Sequence, residues 1–195
     1  MLGIKVELID KIGMHSSDTA MIFLEDVKVP ASHIIGEEGM GFTYQMLQFQ
    51  EERLWAGAAA VVPFYKIIRD TAEYCGQRKA FGQPVLSNQS VYFRLAELAT
   101  EVELLRSLLH KATAQYCMGH NVTKMASMVK LKAGRLAREI PDACLQYWGG
   151  MGFTSDVLVS RFYRDFRILS IGGGADEVML SIIAKEMNIL PSKKK

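Results

Sequence analysis

The sequence has few cysteines, and their positions exclude the usual cysteine-based sites. Cys75, Cys117 and Cys144 are the three cysteines among 195 residues, and they lie far apart. Structural zinc sites need cysteines in closely spaced pairs, and disulfide frameworks of small secreted domains normally use an even number. We therefore expect no metal site, and three reduced thiols in a reducing compartment.

Long apolar runs and a charge excess of one sign are also missing. The most apolar run, Leu54 to Phe64, is much shorter than the roughly 20 residues that cross a bilayer. The formal net charge is +2, which gives no electrostatic case for a nucleic acid. The N-terminus shows neither a secretory signal nor an arginine-rich transit peptide. We expect no membrane insertion, no nucleic-acid partner and no targeting signal in this chain.

What is present first is a pair of β-branched, alternating segments. The stretches "IKVELI" and "AMIFLEDVKVP" are typical of strands, and residues 13–18 form a turn between them. Pro30 is expected to end the second strand, because proline cannot donate to a strand ladder. Two strands cannot bury a core alone. Residues 1–36 are therefore predicted to be the end of a β-domain whose other strands are missing or belong elsewhere.

After Gly39 the pattern becomes helical. Leucines and valines recur at steps of three and four residues along the second helix, which is typical of a bundle seam; they are Leu95, Leu98, Val102, Leu105 and Leu109. The predicted helices span 42–73, bent at Pro63, then 88–118, 123–148, a short one over 156–165, and 175–188. Long helices with short connections predict a mainly α chain, with an antiparallel four-helix bundle over residues 37–195.

Two charged segments could carry chemistry. Glu51, Glu52 and Arg53 are consecutive on the first helix, and a carboxylate on its inner face could act as a base. The alternative is solvated surface, and at most one of the two adjacent acids can face inward. Arg78, beside Lys79 in "QRKAFGQPV", could bind a phosphate or could simply complement a helix dipole.

Two glycine-rich segments could bring backbone amides close to a ligand. In "QYWGGMGF", Gly149 and Gly150 follow the third helix, where a helix cap is the ordinary explanation. In "SIGGGADEVML", three glycines precede the last helix, whose free N–H groups could hold a carbonyl or phosphate oxygen. Each segment alone indicates no more than a ligand near helix ends.

In combination and order, these segments are specific. The sequence resembles the acyl-CoA dehydrogenases: its helical part resembles their C-terminal domain, and its opening resembles the end of their middle β-domain. The resemblance is carried by "IDKIGMHSSDTAMIFLEDVKVPASHIIGEEGMGF", "ERL", "QRKAFG", "QYWGGMGF" and "RDFRILSIGGGADEVM". The family's N-terminal helical domain and most of its β-domain have no counterpart here. The resemblance therefore implies a partial enzyme, inactive by itself.

The resemblance also implies a chemistry. Members of the family use FAD to dehydrogenate an acyl-CoA thioester: a carboxylate removes the α-proton and the β-hydrogen leaves as hydride to flavin N5. Electron-transferring flavoprotein takes the electrons, and the enzymes are homo-oligomers, dimers or tetramers. They act in fatty-acid or branched-chain amino-acid catabolism. The implied compartment is the mitochondrial matrix in a eukaryote and the cytoplasm in a bacterium.

The position of the base differs among family members. Most carry a glutamate in the loop motif "YEGT", where this sequence has Gly172, Gly173, Gly174 and Ala175. Members similar to the isovaleryl-CoA and long-chain dehydrogenases have a small residue there and carry the base in "ERL". The resemblance thus implies Glu52 as the catalytic base, and a preference for branched or longer acyl chains.

The remaining site residues follow from the resemblance segment by segment. Gly173, Gly174 and Arg53 are implied in substrate binding, with the Gly173 N–H on the thioester carbonyl as in an oxyanion hole. The implied FAD contacts, some to the cofactor of a neighbouring subunit, are Arg78, Phe81, Asn88, Gln89, Gln146, Gly149, Gly150, Ala175, Asp176 and Glu177. Ala175 departs from the family threonine, which weakens the expected flavin contact.

Two alternatives stay open at this point. One is a flavoprotein oxidase or monooxygenase on the same scaffold, since most CoA contacts lie in the missing part. The other is a non-catalytic helical module that oligomerises and tunes full-length partners. Flavin binding separates the catalytic hypotheses from the module.

Overall fold

The chain opens with a two-stranded antiparallel hairpin. The computed structural model describes residues 3–191, and in it β1 (Ile4–Leu8) pairs with β2 (Ala20–Leu24), with Val6 opposite Ile22. Large apolar side chains are exposed on both faces of this hairpin, so the two strands bury no core of their own. The second strand ends before the predicted Pro30, because Asp26 adopts a φ of 49° and turns the backbone out of the strand.

Five helices follow, which confirms the predicted mainly α fold. They are α1 (Gly41–Gln77), α2 (Gln89–Cys117), α3 (Thr123–Trp148), α4 (Leu158–Asp165) and α5 (Asp176–Glu186). A two-residue ladder, β3 (Lys79–Ala80) with β4 (Gln83–Pro84), lies inside the connection from α1 to α2. α1 and α3 continue through Pro63 and Pro141.

The core lies between α3 and its neighbours. α3 packs against α1, α2, α4 and α5, so it is the central helix of the bundle. The predicted seam of α2 is entirely buried, as are apolar side chains of α1 and α3 that meet it, among them Phe64, Ile67, Leu136 and Ile140. This burial is what fixes the helix faces around the candidate site.

Residues 166–175 connect α4 to α5. A 3₁₀ turn, Phe166–Ser170, is followed by the glycines of the segment Ile171–Ala175, hereafter the glycine loop. Across residues 3–191, no helix is both long enough and apolar enough to span a membrane.

Candidate functional site

The two acids of "EERL" have different surroundings. Glu51 accepts a hydrogen bond of 3.5 Å from the Tyr116 hydroxyl at the end of α2. Glu52 is exposed, so the bundle by itself does not desolvate this carboxylate. The buried charged residue of the segment is Arg53, at 7% exposure, whose guanidinium lies 5.5 Å from the Phe49 ring centroid. The sequence pattern left open whether one of the two carboxylates faces inward; in this chain both are exposed, and the buried charged side chain is that of Arg53.

Arg53 is held in a poorly solvated position. Burial lowers the pKa of Arg53, and the negative charge of Glu52 partly offsets this. Its Nε is buried without a hydrogen-bond partner among residues 3–191. A buried N–H without an acceptor is costly, so this atom is a candidate for contacting a ligand or another part of the protein.

α1 crosses α3 closely, one turn beyond Arg53. A Cβ at Gly57 would lie 2.3 Å from Val129 Cγ1, so only glycine permits this approach. Lys130 follows Val129, and Arg53 is near enough to Lys130 to lower its pKa. The crossing therefore brings the Glu52–Arg53 turn of α1 to the part of α3 that carries the glycine loop.

The glycine loop needs its glycines for two different reasons. Gly174 has a φ of 108°, and a Cβ there would lie 2.6 Å from Met179 Cε. Gly173 has a φ of 67°, but the nearest atom to a Cβ there would be Lys130 Cε at 4.0 Å. The N–H groups of Ile171 and Gly172 bond to Ile168 O, whereas the Gly173 N–H has no acceptor among the described residues. Gly173 therefore combines a free donor with open space above it.

Three residues of α3, each four apart, anchor this loop. The Lys130 ammonium donates to the Gly174 carbonyl. The Gly134 carbonyl accepts from Ser170 Oγ at 2.6 Å. Arg138 Nη2 lies 2.8 Å from Asp176 Oδ2. Residues four apart share one helix face, so a single stripe of α3 fixes both ends and the middle of the loop.

Asp176 is turned toward that stripe. It is buried, with Oδ2 on Arg138, and Oδ1 has no partner within the described part of the chain. Ala175 precedes α5 as its N-cap, and Glu177 is exposed in the first turn. Asp176 is therefore held by an ion pair within the chain, whereas Glu177 is available at the surface.

Lys130 and Arg138 were missed by the sequence reasoning. A lysine within a helix is ordinarily read as surface, because lysine is rarely fully buried. The available signal was its place among the apolar residues of α3: Ala126, Val129, Ala133 and Ala137 are all buried around it. A charged residue within the apolar face of a helix indicates that its side chain is buried and pairs with a polar group elsewhere in the fold.

A second set of predicted residues gathers where α1 and α3 end. Arg78 Nη1 donates to the Trp148 carbonyl at 2.9 Å and to the Tyr74 hydroxyl at 3.2 Å. The rings of Tyr74 and Trp148 stack with centroids 4.0 Å apart. Gly149 has a φ of 59°, and a Cβ there would lie 2.8 Å from Arg78 Nη1. The structure thus brings Arg78 and Gly149 together, with the guanidinium already bonded within the chain.

The other residues of this set are at the surface. Gly150 has open space above its Cα, and Phe81, with a φ of 53°, is fully exposed. Gln146 is exposed and lines a groove between α2 and α3. Asn88 and Gln89 are exposed at the start of α2, where Asn88 Nδ2 donates to Val85 O at 2.8 Å.

The two sets do not form one site within the chain. Lys130 and Trp148 are both on α3, and at 1.5 Å rise per residue they lie about 27 Å apart along its axis. One set therefore surrounds the glycine loop, and the other forms a separate surface at the far end of the bundle.

A larger groove of about 810 Å³ lies outside both sets. It is bordered by Ile12 of the hairpin connection and by α2, α3 and α4, and it is rich in arginine: Arg94, Arg135, Arg138, Arg164 and Arg167. Glu139 and Asp142 lie in the same wall, and Arg94 pairs with Glu139 and Glu97. Arg138 pairs with Asp176, whereas Arg135, Arg164 and Arg167 form no ion pair among the described residues, so the groove carries a positive excess.

Comparisons with known proteins identify the family of this chain. Residues 39–188 match the family model described as acyl-CoA dehydrogenase, C-terminal domain. The chain is 37% identical over 185 residues to a probable acyl-CoA dehydrogenase, YdiO, of Escherichia coli, covering 95% of this chain and 48% of that protein. It is 36% identical over 184 residues to the mitochondrial long-chain specific acyl-CoA dehydrogenase of Sus scrofa, covering 94% of this chain and 43% of that protein.

A solved structure gives the same result for the fold. The crystal structure of the acyl-CoA dehydrogenase from Geobacillus kaustophilus matches with a TM-score of 0.93 and 36% identity, over 96% of this chain and 50% of that chain. This chain thus spans about half the length of the relatives that it matches. On the family model and these identities, the chain belongs to the acyl-CoA dehydrogenase family.

Proposed function

We propose that this chain is the C-terminal helical part of an FAD-dependent acyl-CoA dehydrogenase whose catalytic base is Glu52. The observation that carries the proposal is Gly173: its N–H is free, its surface is open, and its residue has no side chain where most members carry the base. Glu52 lies on the adjacent helix, next to the buried Arg53. Relatives at 36% and 35% identity are named long-chain specific and short-chain specific enzymes, so the proposed preference for branched or longer acyl chains rests on the base position alone.

The residues present fit a large anionic cofactor and a thioester. Gly150 and Gly173 leave room for close approach, and Arg53 Nε is buried without a partner among the described residues. α5 begins beside the loop, so its free N–H groups favour negative charge there. FAD, when bound, supplies the acceptor for the β-hydride.

The chain's own contribution is to hold and deprotonate the substrate. The Gly173 N–H donates to the thioester carbonyl oxygen and stabilises the negative charge that develops on it when the α-proton leaves. The Glu52 carboxylate accepts that proton. Because Glu52 is exposed in this chain, the missing half of the enzyme must exclude water around it for efficient proton transfer.

The second set of residues supports a homo-oligomer. Arg78, Gln146, Gly149 and Gly150 surround the Trp148 end of α3, about 27 Å along the helix axis from Lys130 beside Gly173, too far to contact the same flavin ring as Gly173. We infer that they contact the FAD of a neighbouring subunit in a dimer or tetramer. Electron-transferring flavoprotein is the proposed electron acceptor, and the compartment is the mitochondrial matrix in a eukaryote or the cytoplasm in a bacterium.

The proposal is tested by Glu52→Gln in a longer protein that joins this chain to the remaining domains. Turnover of an acyl-CoA should fall by about 10³-fold, in the range that positioned bases contribute, while the flavin absorbance stays. Glu51→Gln is the matched control, because it removes the same charge from the neighbouring residue and should keep activity. If Glu52→Gln turns over at the rate of the unmodified protein, Glu52 is not the base.

A further inference from the structure

We propose that Lys130 is a positioning residue, whose buried ammonium group holds the Gly174 carbonyl and thereby limits the movement of the backbone that carries the Gly173 N–H. The inference rests on the proposed function, because it concerns the loop that would hold the thioester carbonyl. It assigns a role to a side chain of α3 that bonds to the glycine loop.

The geometry places the ammonium directly under the loop. Lys130 is 1% exposed, and its Nζ donates to the carbonyl of Gly174. Its Cε is the nearest atom, at 4.0 Å, to where a Cβ of Gly173 would be. The Gly173 N–H lies two peptide planes before the Gly174 carbonyl, so holding that carbonyl shortens the unanchored part of the loop and limits, through the φ and ψ of Gly173 and Gly174, how far the Gly173 N–H can move.

The other anchors act at the ends of the loop. Ser170 bonds to Gly134 before the glycines, and Asp176 pairs with Arg138 after them. Gly172 and Gly173 have no side chain, and glycine backbones visit many conformations. Within residues 3–191, Lys130 is the side chain that bonds to the glycines themselves. Without Lys130, the glycines would be held only through Ser170 before them and Asp176 after them.

The charge of Lys130 is balanced by the start of α5. Burial lowers the pKa of Lys130, whereas the carboxylates of Asp176 and Glu177 raise it and Arg53 lowers it further. A buried ammonium is costly unless it is paired and hydrogen-bonded, and here it has a carbonyl acceptor and two nearby carboxylates. An apolar residue would avoid that cost, but it would leave the Gly174 carbonyl unpaired.

The first experiment measures amide hydrogen exchange by mass spectrometry on the 195-residue chain, which needs neither flavin nor thioester. Lys130→Met should speed exchange of the Ile171 and Gly172 amides, which bond to Ile168 O and are followed in peptides covering residues 170–176, by about tenfold, the loss expected for a charge-assisted hydrogen bond. Peptides of α2 should keep their rates. Lys130→Arg retains a cationic donor and should restore most of the loop protection.

Lys132→Met is the matched control. Lys132 is on the same helix, but its ammonium pairs with Glu101 of α2, so its loss should leave the loop unchanged. The proposal is overturned if loop exchange in Lys130→Met stays within about twofold of the unmodified chain. It is also overturned if the loop and α2 accelerate together and Lys130→Arg does not restore the loop, because Lys130 would then support the bundle as a whole.

A second experiment uses the longer protein with octanoyl-CoA, and separates this inference from the proposed function. Lys130→Met should lower kcat by about tenfold with the flavin spectrum unchanged, because the Gly173 N–H no longer points steadily at the carbonyl. Unchanged kcat and KM would refute the positioning role alone. If the unmodified longer protein neither binds flavin nor turns over the thioester, the proposed function fails, while the loop exchange result stands.

Discussion

The three cysteines have sharply different surroundings. Cys75 and Cys144 are buried in the core, whereas Cys117 is exposed at the end of α2. Burial raises the pKa of the Cys144 thiol to about 11, and burial also raises the pKa of Cys75. Because the thiolate is the reactive form, both core thiols are protonated near neutral pH as well as shielded.

Thiol labelling tests this difference. At pH 8 in buffer, we expect a disulfide reagent such as dithionitrobenzoate to modify about one thiol per folded chain, and three after unfolding in guanidinium chloride. Cys117→Ser should abolish the fast labelling, whereas Cys144→Ser should leave it intact. Fast modification of two or three thiols in the folded chain would show that the core opens around Cys75 and Cys144.

Individual side chains also show what the sequence could and could not reveal about the site. The roles of Glu52 and Gly173 could be predicted from the sequence, because both residues belong to segments whose order along the chain resembles that of a known family. Lys130 was not, because burial of a lysine depends on what packs over it, and the loop that covers it is 44 residues away in the chain. The inward direction of Arg53 rather than Glu52 likewise depends on the angle at which α1 crosses α3.

At the scale of elements, the α1–α3 crossing depends on Gly57. A methyl group there would meet Val129 Cγ1 at 2.3 Å, and a β-branched side chain has little freedom to move aside. Gly76, in the same helix, offers a methyl group only an ordinary contact of 3.8 Å with Leu86. Alanine substitutions at Gly76 and Gly57 therefore distinguish the effect of helix propensity on stability from the effect of helix packing.

We predict opposite effects for alanine at these two positions. Gly76→Ala should stabilise the chain by about 0.5 kcal/mol through reduced backbone entropy of the unfolded state. Gly57→Ala gains the same term but forces α1 away from α3, and should destabilise by about 1–2 kcal/mol. Urea unfolding followed by circular dichroism measures both. If Gly57→Ala were as stable as Gly76→Ala, α1 could move away from α3 to accommodate the methyl group without loss of stability.

Helix ends could be predicted from the sequence where local start and stop residues agree with the tertiary packing. α3 matches its prediction at both ends, because Asn121 precedes it and Gly149 follows it with a positive φ. α1 runs past the predicted Glu73 to Gln77, because Tyr74 and Cys75 pack against the end of α3. Such tertiary contacts override the local signal of the nearby glycine, and a single sequence does not reveal them.

At the scale of the whole molecule, many large apolar side chains remain exposed because the bundle does not bury them. Trp55 is 69% exposed and Val62 is 72% exposed, and their spacing of seven residues places both on one outward face of α1. Exposed apolar patches of this kind usually mark a partner surface. Since the relatives are about twice as long, part of this face is expected to meet the domains that this chain lacks.

The isolated chain is therefore predicted to self-associate and to bind FAD weakly or not at all. Light scattering should give a mass above the 21.8 kDa of one chain, and the visible spectrum should lack flavin bands. The double variant Trp55→Lys, Val62→Lys should lower the mass, because it places charge on the apolar face of α1.

Thr100→Lys with Thr113→Lys is the matched control for that variant. It adds the same two charges to exposed polar positions of α2, and should leave the mass unchanged. A monomeric unmodified chain would show that the exposed apolar face does not drive association. A flavin spectrum at one FAD per chain would show that copies of this chain form a cofactor site without further domains.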